Sequence, residues 1–196
     1  MQAIWTFVTD FGDTAVTVPL AALMGCFLVA ARQQRLAVGW ALAIVGCAGA
    51  IGGLKLVLAA CGYSLGVPGQ ASPSGHTAMS VAVYGGYAAV IGANLARPAR
   101  ALLIAGAAML IITIAVSRVT LGAHSPLEVW IGLAVGVTAL GAIIAIVARL
   151  RRGKLPIRWL VLPALAVALW FHGNRWPAES AIEWLVDILR PWCSWL

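Results

Sequence analysis

The sequence predicts an all-helical membrane protein, and its composition and its long apolar runs are the observations behind that prediction. Hydrophobic residues make up 62% of the 196-residue chain and charged residues only 10%, whereas soluble domains contain about 45 to 50% apolar residues. The apolar runs reach the roughly 20 residues needed to cross a bilayer core about 30 Å thick. Because lipid leaves no partner for exposed backbone groups, such long continuous runs indicate helices and exclude barrel strands.

Six apolar runs are predicted to span the membrane. They lie at about 14–31, 37–61, 75–95, 99–117, 126–148 and 157–172. Many of the runs contain glycine and alanine, which suit close packing of helices in a bundle. A chain of this length predicts a single integral membrane domain covering residues 1–196. The flanking segments 1–13 and 177–196 combine aromatic or apolar residues with acids, so we expect both to lie along the membrane surface.

The charges predict the orientation of the six spans. Nine of the 13 basic residues fall on one side of the bundle: Arg32, Arg35, Arg97, Arg100, Arg149, Arg151, Arg152, Lys154 and Arg158. By the positive-inside rule this side is cytoplasmic. The outer side then receives both termini and every acid: Asp10, Asp13, Glu128, Glu179, Glu183 and Asp187. The net charge of +7 therefore indicates topology, because no soluble module presents it to a nucleic acid.

Ionisable residues collect at the outer ends of several predicted spans. Lys55 lies in the outward half of the second span, Arg118 closes the fourth, and His124 precedes the fifth. Ionisable groups at membrane depth are candidates for function by default. Snorkelling of the side chain to the interface would also explain Lys55 taken alone.

The string Ser72-Pro73-Ser74-Gly75-His76 has the form of a helix start at the third span. A serine cap, a proline in the first turn and a glycine open to a ligand are suited to binding an anion on the exposed amides. A purely structural cap would account for the serines and the proline. It would leave His76, just inside the span, without a role.

Glu128 has two competing interpretations. With Ser125 it forms the Ser-x-x-Glu pattern of a capping box, which is a structural role. It also lies four residues after His124, so its carboxylate could accept a hydrogen bond from the imidazole and make the other ring nitrogen a better nucleophile.

The third histidine, His172, lies beside Gly173 at the end of the last span and is most simply an interfacial residue.

The combined pattern resembles the type 2 phosphatidic acid phosphatase family. The pattern consists of Lys55, then Pro73-Ser74-Gly75-His76, then Ser117-Arg118 followed by His124, and its second and third motifs match the family's in residue, spacing, order and helix placement. The resemblance implies three catalytic residues: His124 as the nucleophile, His76 as the acid that protonates the leaving oxygen, and Glu128 as the group that orients His124. It also implies phosphate binding by Lys55, Ser74, Gly75 and Arg118.

The resemblance further implies a membrane phosphatase that hydrolyses lipid phosphate monoesters through a phosphohistidine, without a metal or other cofactor. The same phosphohistidine could instead be transferred to a lipid acceptor, and a lipid-phosphate binder without catalysis is a third alternative. With basic loops inside and the site outside, we expect a multi-pass protein of a bacterial inner membrane whose site faces the periplasm or the extracytoplasmic side. Undecaprenyl phosphates, phosphatidylglycerol phosphate, phosphatidic acid and lipid A phosphate all remain possible substrates.

Two features of the sequence depart from the family pattern. The family usually has Arg-Pro seven and eight residues after the lysine, where this chain has Gly62 and Tyr63, so one phosphate-binding guanidinium is missing. Gln70 and Arg175 are the two candidates to take the place of the missing guanidinium. The family's aspartate four residues after the nucleophile is here Glu128, whose carboxylate is one methylene further out.

Cys61 and Cys193 both map to the outer side, where a disulfide is permitted. The sequence leaves open whether they pair, and it leaves the oligomeric state open as well.

Overall fold

The computed structural model describes residues 2–61, 72–150, 154–176 and 178–193, and within these ranges the fold consists of helices and connecting turns without any strand. The helices are α1 (Gln2–Asp10), α2 (Thr14–Ala30), α3 (Gln34–Ala60), α4 (Gly75–Ser80), α5 (Gly86–Gly92), α6 (Arg97–Thr120), α7 (Pro126–Leu150), α8 (Arg158–Phe171) and α9 (Ala178–Cys193). A π-helical segment, Val81–Gly85, joins α4 to α5. The prediction of an all-helical fold is confirmed.

Four helical stretches in the described ranges are long and apolar enough to cross a membrane: Gln2–Ala30, Gln34–Ala60, Arg97–Thr120 and Pro126–Leu150. The predicted third span corresponds to the consecutive helices from Gly75 to Gly92, and the sixth to the short apolar helix α8. All six predicted runs are thus helical, with ends a few residues from those expected. Six spans and the outward placement of both termini stay predictions.

The run from α4 to α5 forms the buried centre of the bundle and packs closely on α7. A Cβ atom added at Gly136 would lie 2.7 Å from the Ala78 carbonyl oxygen, and one added at Gly132 would collide with the Ser74 carbonyl. Glycine therefore lets the backbone of α7 approach the start of α4. This approach places the Ser74 cap beside the first turn of α7, where Glu128 lies.

Hydrogen bonds from aromatic side chains join the helices around this centre. Trp40 on α3 donates from Nε1 to the Ala21 carbonyl at 2.9 Å, and the Tyr87 hydroxyl on α5 donates to the Leu20 carbonyl at 2.7 Å. Buried Met24 on α2 belongs to the same apolar core. The helix faces that point away from this core expose many large apolar side chains. Membrane helices present such an apolar surface to lipid.

The helix α1, predicted as a surface segment, packs against α6, and the turn after it is fastened to the central run. The Tyr84 hydroxyl donates to the Phe11 carbonyl at 2.6 Å. Towards the other end of the chain, the His172 ring lies 4.4 Å from the Phe7 ring and 4.3 Å from the Phe11 ring, and its Nε2 is 2.8 Å from the Phe7 carbonyl. His172 is thus a packing contact between α1 and the segment after α8.

Candidate active site

The predicted site residues come together at one end of the bundle. Lys55 lies on the last turns of α3, Ser74, Gly75 and His76 form the start of α4, Arg118 lies on the last turn of α6, His124 lies in the loop that follows, and Glu128 lies on the first turn of α7. Lys55, His124 and Glu128 are buried, with 8%, 7% and 2% of their surface exposed. Buried ionisable groups require compensating partners, and His124 and Glu128 are partners within this set.

Glu128 uses both carboxylate oxygens. Oε1 accepts a hydrogen bond from the Ser72 amide at 2.7 Å, and Oε2 accepts one from the Ser125 amide at 2.8 Å. The same Oε2 lies 3.4 Å from Nδ1 of His124. The sequence left two interpretations of Glu128 open, as part of a helix cap and as a partner of His124. The structure shows both contacts on the same carboxylate.

The surroundings of His124 favour the neutral form of its imidazole. Burial lowers the pKa of His124 below its usual value, and the positive charges of Arg118 and Lys55 lower it further, while Glu128 opposes them. A neutral ring that donates from Nδ1 to Glu128 carries its lone pair on Nε2. Nε2 is therefore the atom of His124 that can attack an electrophile.

Ser74 acts as a helix cap. Its Oγ accepts hydrogen bonds from the Thr77 amide at 3.4 Å and from the Thr77 hydroxyl at 3.0 Å, and the side chain is fully buried. Its own amide donates to the Glu128 carbonyl at 3.0 Å. The predicted phosphate-binding role of Ser74 and of the adjacent Gly75 stays a prediction.

Arg118 is held by a residue that the sequence did not single out. Its Nη1 donates to the Thr9 hydroxyl on α1 at 3.1 Å. Thr9 is buried, as is Asp10 next to it. The first helix therefore helps to fix one of the two cations predicted to bind phosphate.

Asp13 is the second residue that sequence reasoning missed. Its Oδ2 lies 3.5 Å from Nε2 of His76, and its Oδ1 caps α2 by accepting from the Ala15 amide at 2.8 Å. In the sequence Asp13 counted only as one of the outer acids. Its position before Thr14 signals a helix cap, but no local pattern signals a partner as distant along the chain as His76.

Arg175, a candidate to replace the missing guanidinium, is paired with an acid. Its Nη2 lies 3.3 Å from Oδ1 of Asp10, and 64% of its side chain is exposed. The adjacent Trp176 amide donates to Asp13 Oδ1 at 3.4 Å. Arg175 therefore lies near the His76 side of the site with its charge partly balanced. The other positions named for this deficit, 62, 63 and 70, lie outside the described residues.

The cysteines differ in their bonding state. Cys26 and Cys47 are free thiols. Cys61, which directly follows the end of α3, is disulfide-bonded. The side chain of Cys193 lies outside the described part of the chain.

Comparison with known proteins finds a family model that matches part of the chain. Residues 58–152 match the family model of the PAP2 superfamily. The match confirms the resemblance to the type 2 phosphatidic acid phosphatases that the motifs predicted. No curated protein and no solved structure matches the chain. The matched segment contains His76, Arg118, His124 and Glu128, whereas Lys55 and the first two helices precede it.

Proposed function

We propose that this chain, with its PAP2 superfamily segment at residues 58–152, is a membrane phosphatase that hydrolyses lipid phosphate monoesters through a phosphohistidine. The family supports phosphatase activity in general. The observation that carries the finer proposal is the buried pair of His124 and Glu128 beside two cations. That arrangement supplies a neutral nucleophile, a carboxylate to stabilise it once charged, and positive charge for a phosphoryl group.

The first chemical step forms the covalent intermediate. His124 Nε2 attacks phosphorus in line with the ester oxygen, the N–P bond forms as the P–O bond breaks, and protonated His76 donates its proton to the departing alkoxide. The products are the alcohol and a phosphohistidine. Glu128 stabilises the positive charge that develops on the His124 ring.

The second step is hydrolysis of that intermediate. Neutral His76 accepts a proton from a water molecule as the water oxygen attacks phosphorus, and the N–P bond breaks with its electrons returning to Nε2. Inorganic phosphate leaves, and both histidines regain their starting protonation states. Two easier steps thus replace one difficult displacement.

The cations and the start of α4 would hold the phosphoryl oxygens. Lys55 and Arg118 are close enough to His124 to act on its ring electrostatically. Charge that spreads over the equatorial oxygens in the transition state is stabilised by such fixed positive groups. We assign the Ser74 hydroxyl and the Gly75 amide as further donors, because both lie at the helix start beside Glu128.

The apolar helices and the charge distribution support a lipid substrate and an outer location. The site lies at the end of the bundle opposite the one that carries Arg32, in the turn after α2, Arg35, at the start of α3, and Arg97 and Arg100, at the start of α6. The positive-inside rule supports a cytoplasmic position for that end and an outer position for the site. We propose a bacterial inner membrane, with the lipid phosphate head group entering from the extracytoplasmic leaflet.

Phosphate release by purified protein tests the proposal. The chain in detergent is incubated with a panel of lipid phosphates, with EDTA and without added metal, and inorganic phosphate is measured; His124→Ala is the matched control. We expect release with EDTA from the unmodified chain and none from the variant. Strict dependence on added zinc or magnesium would contradict the mechanism.

The same assay separates the two alternatives. With a lipid alcohol added as acceptor, a phosphotransferase would form products without free phosphate. Substrate binding without release or transfer would instead identify a binding protein. We expect neither result: the paired His124 and the Asp13-bound His76 are groups that catalysis needs and simple binding does not, and neutral His76 can take the proton of a water molecule in the second step.

A further inference from the structure

The turn between α1 and α2 is built into the site although it lies outside the segment that matches the family. A Cβ atom added at Gly12 would lie 3.3 Å from Cβ of His76, 3.1 Å from Oγ of Ser80 and 2.7 Å from Ile114. Only glycine fits there without displacing its neighbours. Together with the hydrogen bond from Tyr84 to the carbonyl that precedes Gly12, this close approach fixes the turn against α4 and α6.

Asp13, the next residue, divides its two oxygens between the backbone and His76. Oδ1 accepts from the amides of Ala15 at 2.8 Å and Trp176 at 3.4 Å, and it lies 3.3 Å from the Thr14 hydroxyl. Oδ2 is directed to His76 Nε2 at 3.5 Å. Because Oδ1 is anchored by several donors, the carboxylate plane is set by the helix cap, and Oδ2 presents a fixed acceptor to the ring.

The arrangement repeats the one at the other histidine. Glu128 is also anchored to backbone amides, at Ser72 and Ser125, and also presents an oxygen to an imidazole. Each of the two site histidines thus has its own buried, backbone-anchored carboxylate. A carboxylate in this position fixes the tautomer and stabilises the imidazolium form of its partner.

We propose that Asp13 is a positioning residue for His76 in the phosphatase reaction, an inference that rests on the proposed function. Asp13 accepts a hydrogen bond from Nε2–H of His76. The other ring nitrogen, Nδ1, is therefore the atom that donates a proton to the leaving oxygen. After the transfer, His76 is neutral with its remaining proton on Nε2, and Nδ1 can accept a proton from the attacking water. Asp13 itself stays ionised throughout.

Substitution at Asp13 separates this role from the helix cap. The tests are Asp13→Asn and Asp13→Ser. Asparagine and serine both retain a good cap for α2, so the melting temperature should stay close to that of the unmodified chain. The asparagine side chain carries no charge to stabilise the imidazolium, and a serine hydroxyl is too short to reach the ring.

The first readout is the dependence on the leaving group. With an alkyl phosphate, both variants should lose activity up to the full contribution of a general acid, about 10²- to 10⁴-fold. With an aryl phosphate such as p-nitrophenyl phosphate, whose leaving group needs little protonation, the loss should be much smaller. In a His76→Ala background, Asp13→Asn should cost almost nothing more. Equal losses with both substrates, or a full additional loss in the double variant, would overturn the proposal.

The matched control is Asp10→Asn. Asp10 is a buried acid at the end of α1, just before the same turn, but it pairs with Arg175 and not with a histidine. Its variant should keep the ratio of alkyl to aryl turnover unchanged. A changed ratio would show that loss of any nearby negative charge produces the effect.

A second readout does not depend on activity. The chain contains three histidines, so selective ¹⁵N labelling gives three ring spin systems, and His76→Ala assigns one of them. We expect His76 with its proton on Nε2 in the unmodified chain and a changed tautomer or proton shift in Asp13→Asn. An unchanged His76 spectrum would refute the contact even if the phosphatase assay succeeds. A changed His76 spectrum without phosphatase activity in any chain would uphold the contact and show that the proposed function had failed separately.

Discussion

Oε2 of Glu128 lies 3.4 Å from Nδ1 of His124 while it accepts the Ser125 amide at 2.8 Å. One oxygen therefore both completes the helix cap and contacts the imidazole. Oε1 accepts the Ser72 amide, so the carboxylate also holds Ser72, shortly before α4, against α7. Substitution of Glu128 is consequently expected to affect both stability and rate.

Glu128→Gln should lower turnover by orders of magnitude, up to about 10⁴-fold, because a neutral amide cannot stabilise the His124 imidazolium. Glutamine has one acceptor oxygen and cannot serve both backbone amides, so a loss of about 1 to 3 kcal/mol in unfolding free energy is expected as well. Melting temperature and turnover are measured together.

Ser125→Ala is the control for that substitution. It removes the hydroxyl that accepts from the Glu128 amide, while the carboxylate keeps its contact with His124. We expect a lower melting temperature with nearly normal turnover. Near-normal turnover in Glu128→Gln would instead show that Glu128 acts only as part of the helix cap.

The two histidines should respond differently to removal. His124→Ala should abolish turnover of every substrate, because no nucleophile remains. His76→Ala should reduce turnover of alkyl phosphates by about 10²- to 10⁴-fold and be partly rescued by an aryl leaving group. Steady-state rates with matched alkyl and aryl phosphates test the assignment, and equal losses for both substrates in His76→Ala would contradict it.

The lowered pKa of His124 makes a prediction about pH. Burial first, then the charges of Arg118 and Lys55, favour the neutral ring, so His124 stays deprotonated to a pH below the usual histidine pKa. Removing a neighbouring positive charge makes protonation easier, so Arg118→Gln should raise the pKa of His124. Arg118→Lys keeps the charge and should shift that pKa less. Titration of the labelled His124 ring measures both, and an identical titration in the two variants would exclude the electrostatic contribution of Arg118.

Thr9 gives a test of how α1 contributes to phosphate binding. Thr9→Val keeps the shape of the side chain but removes the acceptor for Arg118. Hydrogen bonds to charged groups contribute about 1.5 to 3 kcal/mol, so we expect KM for the lipid phosphate to rise about tenfold or more while the leaving-group dependence is unchanged. Thr6→Val, which removes only a contact with the Gln2 carbonyl on an exposed face, is the control. Equal KM values in the two variants would show that Thr9 does not position the guanidinium.

The sequence predicted those features that depend on local pattern. Apolar runs define the helices, and an i, i+4 spacing is enough to bring His124 and Glu128 together. The contacts of Asp13 with His76 and of Thr9 with Arg118 depend on how α1 and the turn after it pack against α4 and α6, which no local pattern encodes. The π-helical segment between α4 and α5 was likewise not predicted, because its residues are apolar like those around it.

The last prediction concerns the number of phosphates on the substrate. Gly62 replaces the arginine that the family pattern has, and Arg175 is already paired with Asp10, so Lys55 and Arg118 are the cations that act electrostatically on His124. A diphosphate carries more negative charge than a monoester and needs more positive charge to hold it. We therefore expect a higher kcat/KM for phosphatidic acid than for a prenyl pyrophosphate, and little effect of Arg175→Ala on either. Arg190→Ala, on the surface of α9, is the control for a lost arginine. A preference for the pyrophosphate that disappears in Arg175→Ala alone would show that Arg175 leaves Asp10 to bind the second phosphate and replaces the missing guanidinium.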